Sequence, residues 1–444
     1  MGITCQALRK CLARWAETRP RMIRGREQNA DDADNANCTD RPEYSLLPTP
    51  SVCSVSSVPS VCAAEPHGGP DYAELSALGL RPEDVLDFSA STNAYGPPPG
   101  VREALAACDV TRYPDRGAAP LRQALAEREG VTPDRVLVGN GAAGLIWALA
   151  LAELRPDDVA FIVGPTFGEY AAASRLARAA IHTWQSDPAR DFAPDVTALA
   201  QAIAASRPRL IWLCNPNNPT GVYLGKEALS ALLPAAPDAL WVLDEAYRPF
   251  VARPWPSTAL IERGNVALLR SLTKDYAMPG VRLGYLLAAP DVVRRCAAAQ
   301  PPWSVSAAAL ACGLAALRDG CTAHVACTTV ALRSEAIHLA ARLRGQGWRV
   351  IPTAAHFMLI EVGDAAAARA DLLREHRIQV RNCASFGLPG FIRVAARLPE
   401  ENDRLVAAMG DLTPSPSPAR RGERMAPPSL RGKGVGGSGR DTQP

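Results

Sequence analysis

Between about residues 113 and 303, short apolar runs alternate with longer amphipathic ones. "RVLVGN" reads as a strand and "AAGLIWALALAEL" as a helix, and "DDVAFIVGP" and "GEYAAASRLARA" repeat the pair. "LIWLCNPNNP", "KEALSALLPAA" and "ALWVLDEAY" continue the alternation, and "NVALLRSLT" and "VRLGYLLA" are two further strand-like runs. Short apolar strands alternating with helices predict an α/β unit whose sheet is mainly parallel and covered on both faces.

After about Pro302 the pattern changes. Ala-rich helical stretches, "VSAAALACGLAALRDG" and "SEAIHLAARLRGQG", precede "WRVIPTAAHFMLIEV", "RADLLREHRI", "FIRVAAR" and "PEENDRLVAAM". This order predicts a smaller α+β unit over 304–411, beside a large unit over 113–303. Residues 69–112 form an N-terminal segment expected to join the small unit. Residues 1–68 run from basic "RPRMIRGRE" through acidic "DDADNA" to Ser/Val/Pro-rich "PSVCSVSSVPSV". They read as a disordered extension with one short helix near Leu8–Trp15, or as an over-called translation start. Residues 412–444 read as a disordered basic tail.

Charge and cysteine usage narrow the class. The net charge is +3, and the tail holds Arg420, Arg421, Arg424, Arg431, Lys433 and Arg440 against Glu423 and Asp441. The rest of the chain therefore has no basic excess, which argues against a nucleic-acid partner. The 12 cysteines contain no CxxC pair and no Cys/His cluster with zinc-ligand spacing, so no metal is expected. Free thiols fit a reducing compartment. The first residues lack a secretory apolar core, and no run of eighteen apolar residues exists. A cytoplasmic protein without a membrane partner is the expectation.

Candidate chemistry sits at strand ends, where open α/β sheets bind ligands. "GNGAAGLIW" (139–147) turns from strand to helix and presents backbone N–H groups to an anion. "CNPNNPTG" (214–221) follows a strand and holds Asn218 between fixed prolines. "LDEAYRPF" (243–250) ends an apolar strand with Asp244, a carboxylate that needs a partner there, and Tyr247 lies three residues on. "SLTKDYAMPGVRLGY" (271–285) carries Ser271, Lys274 and Arg282 around a Pro-Gly turn. Each stretch alone is an ordinary turn. Together they supply a phosphate cradle, an acid for a pyridinium nitrogen, an amide and a phenol for a ring oxygen, and an amine for an aldehyde. That set matches pyridoxal 5'-phosphate.

"NPNNPTG", "DEAY" and "SLTKDYAMPGVRLGY" strongly resemble the fold-type I aminotransferases of the class I/II superfamily, in the histidinol-phosphate aminotransferase branch. The resemblance covers about Leu75 to Met409. It implies the pyridoxal-phosphate fold: a large domain with a mainly parallel seven-stranded sheet between helices, and a smaller α+β domain. It implies that Lys274 forms the Schiff base and moves the proton at the substrate Cα. Asp244 would pair with the ring nitrogen, and Asn218 and Tyr247 with the ring oxygen. Ser271, Arg282 and the backbone at Gly141 and Ala142 would hold the phosphate, and Phe167 in "GPTFGEY" would stack on the ring. Arg393 in "FIRVAAR" would clamp the substrate carboxylate. Asn93 in "STNAYGPPP" would lie near the substrate. Tyr113 in "RYPD" would reach the phosphate of a neighbouring subunit, which implies a homodimer with shared active sites. One departure is Gly144, which stands where the family usually carries an acid.

Pyridoxal phosphate serves several reactions from the same residues. "LDFSASTNAYGPP", "PTFGEY", "QPPWSVSAAA", "VRNCASF" and "RVAARLPEEN" look more like threonine-phosphate decarboxylases of cobalamin biosynthesis than like histidinol-phosphate aminotransferases. Trp303 and the second arginine, Arg397, are part of that likeness. Decarboxylation of L-threonine O-3-phosphate is thus the first expectation, and aminotransfer on histidinol phosphate the alternative. Either substrate is a small phosphorylated amino acid or amine, and Arg381 and Arg397 are candidates to bind its phosphate. A non-catalytic pyridoxal-phosphate-binding module is a third reading. Residues 1–68 show no helix-turn-helix pattern to support it, and Lys274 argues for chemistry.

Overall fold

The computed structural model describes residues 68–412. The expectations for residues 1–67 and 413–444, including the Leu8–Trp15 helix, lie outside them. A first short strand, β1 (Leu86–Asp87), is followed by seven that form one sheet. These are β2 (Val136–Asn140), β3 (Val159–Gly164), β4 (Ala180–Gln185), β5 (Leu210–Cys214), β6 (Leu240–Asp244), β7 (Val266–Ser271) and β8 (Leu283–Leu287). Their spatial order is β2-β8-β7-β6-β5-β3-β4. Only β8 runs antiparallel to its neighbours, β2 and β7.

The continuous apolar runs follow from this placement. Side chains alternate between the faces of a strand. On β6, Trp241 and Leu243 enter one core while Leu240 and Val242 enter the other. On β5, Ile211 and Leu213 enter the first, and Leu210, Trp212 and Cys214 the second. Helices 119–129, 196–206 and 226–232 cover the first face, and helices 141–153, 169–176 and 290–298 the second. Register aligns Cys214 with Asp244, and Asp244 with Leu269. The carboxyl ends of β5, β6 and β7 therefore open at one level.

A second core is built on a four-stranded antiparallel sheet. It contains β9 (Arg349–Val350) and β10 (Phe357–Glu361), then, beyond the short β11 (Ile378–Gln379), β12 (Arg381–Asn382) and β13 (Phe391–Ala395), in the order β12-β13-β10-β9. β1 pairs parallel with β11, and Phe88 is buried in this second core.

Two elements differ from expectation. The strand β4, "AIHTWQ", was not expected from the pattern. It is the sheet's edge, largely exposed, and carries mixed polar residues. The second Ala-rich helix begins at Asp319, well before Ser334, and runs 27 residues to Gly345. "CTAHVACTT" is a poor helix former by composition. It is helical here because Cys321, Val325, Thr328 and Thr329 are buried, and because Thr328 and Thr329 turn their hydroxyls back to the carbonyls of His324 (2.9 Å) and Val325 (2.8 Å). The expected boundary near 303 is also not where the packing changes. Val305, Ala309, Cys312 and Ala316 lie in the core of the seven-stranded sheet, and the chain joins the second sheet's core from Ala336 onward.

Candidate active site

Asp244 is the last residue of β6 and is only 5% exposed. Its position in the strand turns it to the face covered by helix 169–176, from which Tyr170 donates a hydrogen bond to Oδ2 at 2.7 Å. The amide of Ala246 donates to Oδ1 at 3.0 Å. Burial pushes the Asp244 carboxyl upward, and the Tyr170 and Ala246 bonds pull it back. Tyr170 is itself fixed by stacking on Trp212, with ring centroids 5.2 Å apart. Phe167, half-buried at the end of β3, stands edge-on to Tyr170 at 5.7 Å. Thr166 beside it donates to Asn217 Oδ1 at 2.7 Å, joining this loop to the "NPNNP" loop.

Lys274 follows β7 by three residues and is half-buried. Its Nζ lies 5.9 Å from the centre of the Tyr247 ring. Its carbonyl accepts from the amide of Asn93 at 2.8 Å. Ser271 pairs in register with Gly284, which pairs with Gly139 on the other side. A Cβ at Gly284 would lie 2.6 Å from the amide nitrogen of Ala142. Only a glycine here lets Ser271 and the start of helix 141–153 come together.

That helix start is built to receive an anion. Asn140 makes no side-chain capping bond, which leaves first-turn amides without an acceptor inside the helix. Gly141 has φ +69°, and a Cβ there would lie 2.8 Å from Nη2 of Arg282. The guanidinium of Arg282 therefore sits directly over the helix end, tethered by Nη1 to the carbonyl of Pro279 at 3.2 Å. One expectation is corrected: the N–H of Gly141 already donates to the carbonyl of Arg282 at 3.0 Å. Gly141 shapes the cradle, while Ala142 is the first amide the helix leaves for a ligand.

On the other side, Asn218 accepts from Nη1 of Arg393, whose Nη2 donates to the carbonyl of Ser89 at 2.7 Å. Arg393 is buried on β13, lies over the Phe357 ring at 5.3 Å, and keeps an Nε with no protein partner. Phe357 meets Tyr247 edge-on at 4.8 Å. A buried, incompletely bonded guanidinium is a group that an anion could complete. Tyr247, Asn218, Lys274 and Arg393 are thus joined through direct contacts or one intervening residue, and the charge of Lys274 is felt at Asp244.

Three residues expected near the substrate have protein partners in this chain. Asn93 is buried with Nδ2 donating to the carbonyl of Asp275 (2.9 Å) and to Thr328 (2.8 Å), while its Oδ1 accepts from the amide of Tyr95 (3.1 Å). It ties the N-terminal segment to the Lys274 loop. Arg397 is bound to Glu401 through Nε (3.0 Å) and Nη2 (3.3 Å) and to the carbonyl of Asp87 (2.9 Å). Arg381 donates to Ser385 at 2.7 Å and lies over Phe386. Tyr113 is 80% exposed and stacks on Trp303 at 4.6 Å.

Two further residues escaped the sequence reading. Tyr170 lies in an unremarkable helical stretch and acquires its role through the register of β6. His356 precedes β10, is fully buried against Phe250 with ring centroids 3.7 Å apart, and has no protein partner on either ring nitrogen. Among the described residues no group of three His, Cys, Asp or Glu side chains could hold a metal.

A strand-end acid, a lysine loop and an uncapped helix under an arginine define a class of enzyme. The chain belongs to the aminotransferase class I and II family, whose model matches residues 83–409. More particularly, it is 37% identical to a histidinol-phosphate aminotransferase of Symbiobacterium thermophilum over 336 residues, covering 75% of this chain and 91% of that one. The histidinol-phosphate aminotransferase of Sinorhizobium meliloti, solved in complex with pyridoxal-5'-phosphate, superposes with a TM-score of 0.71 at 25% identity, over 80% of this chain and 98% of that one. The L-threonine-O-3-phosphate decarboxylase of Porphyromonas gingivalis superposes with a TM-score of 0.63 at 28% identity, over 72% and 97% of the two chains.

Proposed function

We propose that this chain is a pyridoxal-phosphate-dependent aminotransferase acting on a phosphorylated amine of the histidinol-phosphate class. The observation that carries this reading is the placement of Asp244, Lys274 and the Arg282-covered helix start at the same end of the sheet, in a chain 37% identical to such an enzyme. The residues present fit the cofactor. The first-turn amide of Ala142 together with Ser271 and Arg282 would hold its phosphate, Asp244 its ring nitrogen, and Asn218 and Tyr247 its ring oxygen. Phe167 would cover its ring.

When bound, the cofactor supplies an aldehyde for amines and a ring that accepts electron density. Asp244 sets its carboxyl group at the buried end of the site, and Tyr170 orients it. Arg393 presents its guanidinium to the anionic end of the substrate and fixes how the Cα substituents point. Lys274 would take up and hold the proton released at the substrate Cα. Histidinol phosphate has no carboxylate on Cα, so the proton is the group to be lost.

Decarboxylation of threonine phosphate is the second reading, favoured by the likeness to the Porphyromonas gingivalis enzyme and by "QPPWSVSAAA". It ranks behind aminotransfer, which reverses the order drawn from sequence details alone. Arg397, which had weighed toward the decarboxylase, is engaged by Glu401 and Asp87. A paired assay separates the two: glutamate from histidinol phosphate plus 2-oxoglutarate, against carbon dioxide from threonine phosphate. Carbon dioxide without glutamate would replace the first reading by the second.

We also place two chains in the working enzyme, with Tyr113 of each reaching the other's phosphate cradle. Its exposed stack with Trp303 supports this. No helix among the described residues is long and apolar enough to cross a membrane. The seven described cysteines are free thiols, which suits the cytoplasm.

A further inference from the structure

Behind the Lys274 loop lies a polar cavity of about 210 Å³, bordered on one side by Ser271 of the proposed phosphate cradle. It is lined by Arg128, Glu129, Glu245, Arg248, Arg270 and Asp275. Most of its acceptors are already satisfied. Glu129 accepts from Tyr285 at 2.6 Å and from Arg270, and Glu245 Oε2 accepts from Arg270 Nε at 3.0 Å. Arg270 also donates to Ser257 (3.3 Å) and Thr258 (3.2 Å), so its charge is fully engaged.

The unspent groups are mostly donors. Arg128 has one side-chain acceptor, the Tyr276 hydroxyl. Arg248 donates through Nη2 to the carbonyl of Trp255 at 3.1 Å, but its buried Nε has no hydrogen-bond partner; Glu245 Oε1 is 3.9 Å away. Asp275, 2% exposed, has an Oδ1 with no partner. A buried group left unbonded is costly unless something outside the protein completes it.

We infer that this cavity is a binding site for a small oxyanion, bridging Arg128 and Arg248 and accepting a hydrogen bond from protonated Asp275. The volume admits a tetrahedral anion; Glu245 is shared between Arg270 (3.0 Å) and Arg248 (3.9 Å), so the cavity's three arginines outnumber its two glutamates, and Arg128 has no carboxylate ion-pair partner among the described residues. Burial pushes the Asp275 carboxyl up to about 7, against the pull of Arg128, so the proton is present below neutrality. Above it the ionised carboxylate faces the anion and repels it. The other charged groups around Asp275 are Glu129, Glu245, Arg128, Arg248 and Arg270; Glu129 is held below its ordinary range, Arg128 and Arg270 above theirs, and burial pushes the Tyr276 and Tyr285 hydroxyls up.

Sulfate, whose charge is constant from pH 6 to 8, is the probe. Calorimetric titration of the cofactor-loaded enzyme at fixed ionic strength should show saturable binding that weakens on the order of tenfold from pH 6 to pH 8. Arg128→Gln should weaken binding at pH 6 on the order of tenfold. Asp275→Asn should retain binding and lose its pH dependence, and it decides the matter if Arg128→Gln does not fold. Loading with cofactor keeps the Arg282 cradle out of the measurement. No saturable binding in the wild type, or binding identical in both variants and the wild type at both pH values, overturns the inference.

Discussion

Asp244 has both carboxylate oxygens satisfied, by Tyr170 and by the amide of Ala246, yet burial still pushes its carboxyl upward. Removing a donor to the charged form pushes it further. Tyr170→Phe should therefore lower kcat/KM by about tenfold, with a larger loss at acidic pH, read from a pH–rate profile. Lys274→Ala should lose about 10²–10⁴-fold in turnover through the proton-transfer step alone, together with the cofactor's visible absorbance; retained turnover would remove Lys274 from its role. Two buried groups set opposite pH trends in stability. Burial, then the charges of Arg393 and Lys274, hold His356 down at about 3. Between there and about 6.5 the unfolded chain binds the extra proton, so stability is lost as pH falls through this window. Asp275, at about 7 when folded, binds its proton in the native state where the unfolded carboxyl has released it above about 3.9, so its stability contribution is lost as pH rises. In denaturant titrations, His356→Gln should remove up to about 1.4 kcal/mol per pH unit of slope on the acid side, and Asp275→Asn a similar slope of opposite sign. The strand ends that carry Lys274, Asp244 and Asn218 were legible because each lies at or a few residues beyond the end of an apolar strand, among turn residues. Tyr170 and His356 were not, since their importance lies in what packs against them.

The turn from β2 into helix 141–153 is tightly constrained. Gly141 needs a positive φ, and the space a Cβ would occupy belongs to Arg282. Gly141→Ala should weaken cofactor binding by about tenfold or more, by straining the turn and displacing the guanidinium, while leaving the far-ultraviolet circular dichroism unchanged. An absorbance titration with the cofactor measures it, and unchanged affinity would show that the cradle lies elsewhere. At this scale the sequence pattern was informative wherever burial on both faces demanded continuous apolar residues, as in β5, β6 and β7. It was uninformative where one side of an element faces solvent, as in β4. It was misleading for the 319–345 helix, whose cysteines and threonines are held helical by packing and by back-bonded hydroxyls. Arg397 shows the same limit for function: the spacing of "RVAARLPEEN" suggests a second anion clamp, but the same spacing puts Glu401 four residues on, where it takes the charge.

For the whole molecule, the account requires two chains and one reaction. Tyr113→Ala should leave a folded protein with weaker cofactor retention, and sedimentation of the wild type should give twice the chain mass; a monomer at full activity would contradict the shared site. The reaction rests on which bond at Cα is broken, and a single-turnover experiment reads that directly. The cofactor-loaded enzyme is mixed with histidinol phosphate and no oxo acid, and both the ketone product and the amino group kept by the enzyme are counted. The account predicts one ketone and one retained amino group per active site, released as glutamate when 2-oxoglutarate is added. No ketone from histidinol phosphate, together with carbon dioxide from threonine phosphate, would contradict it.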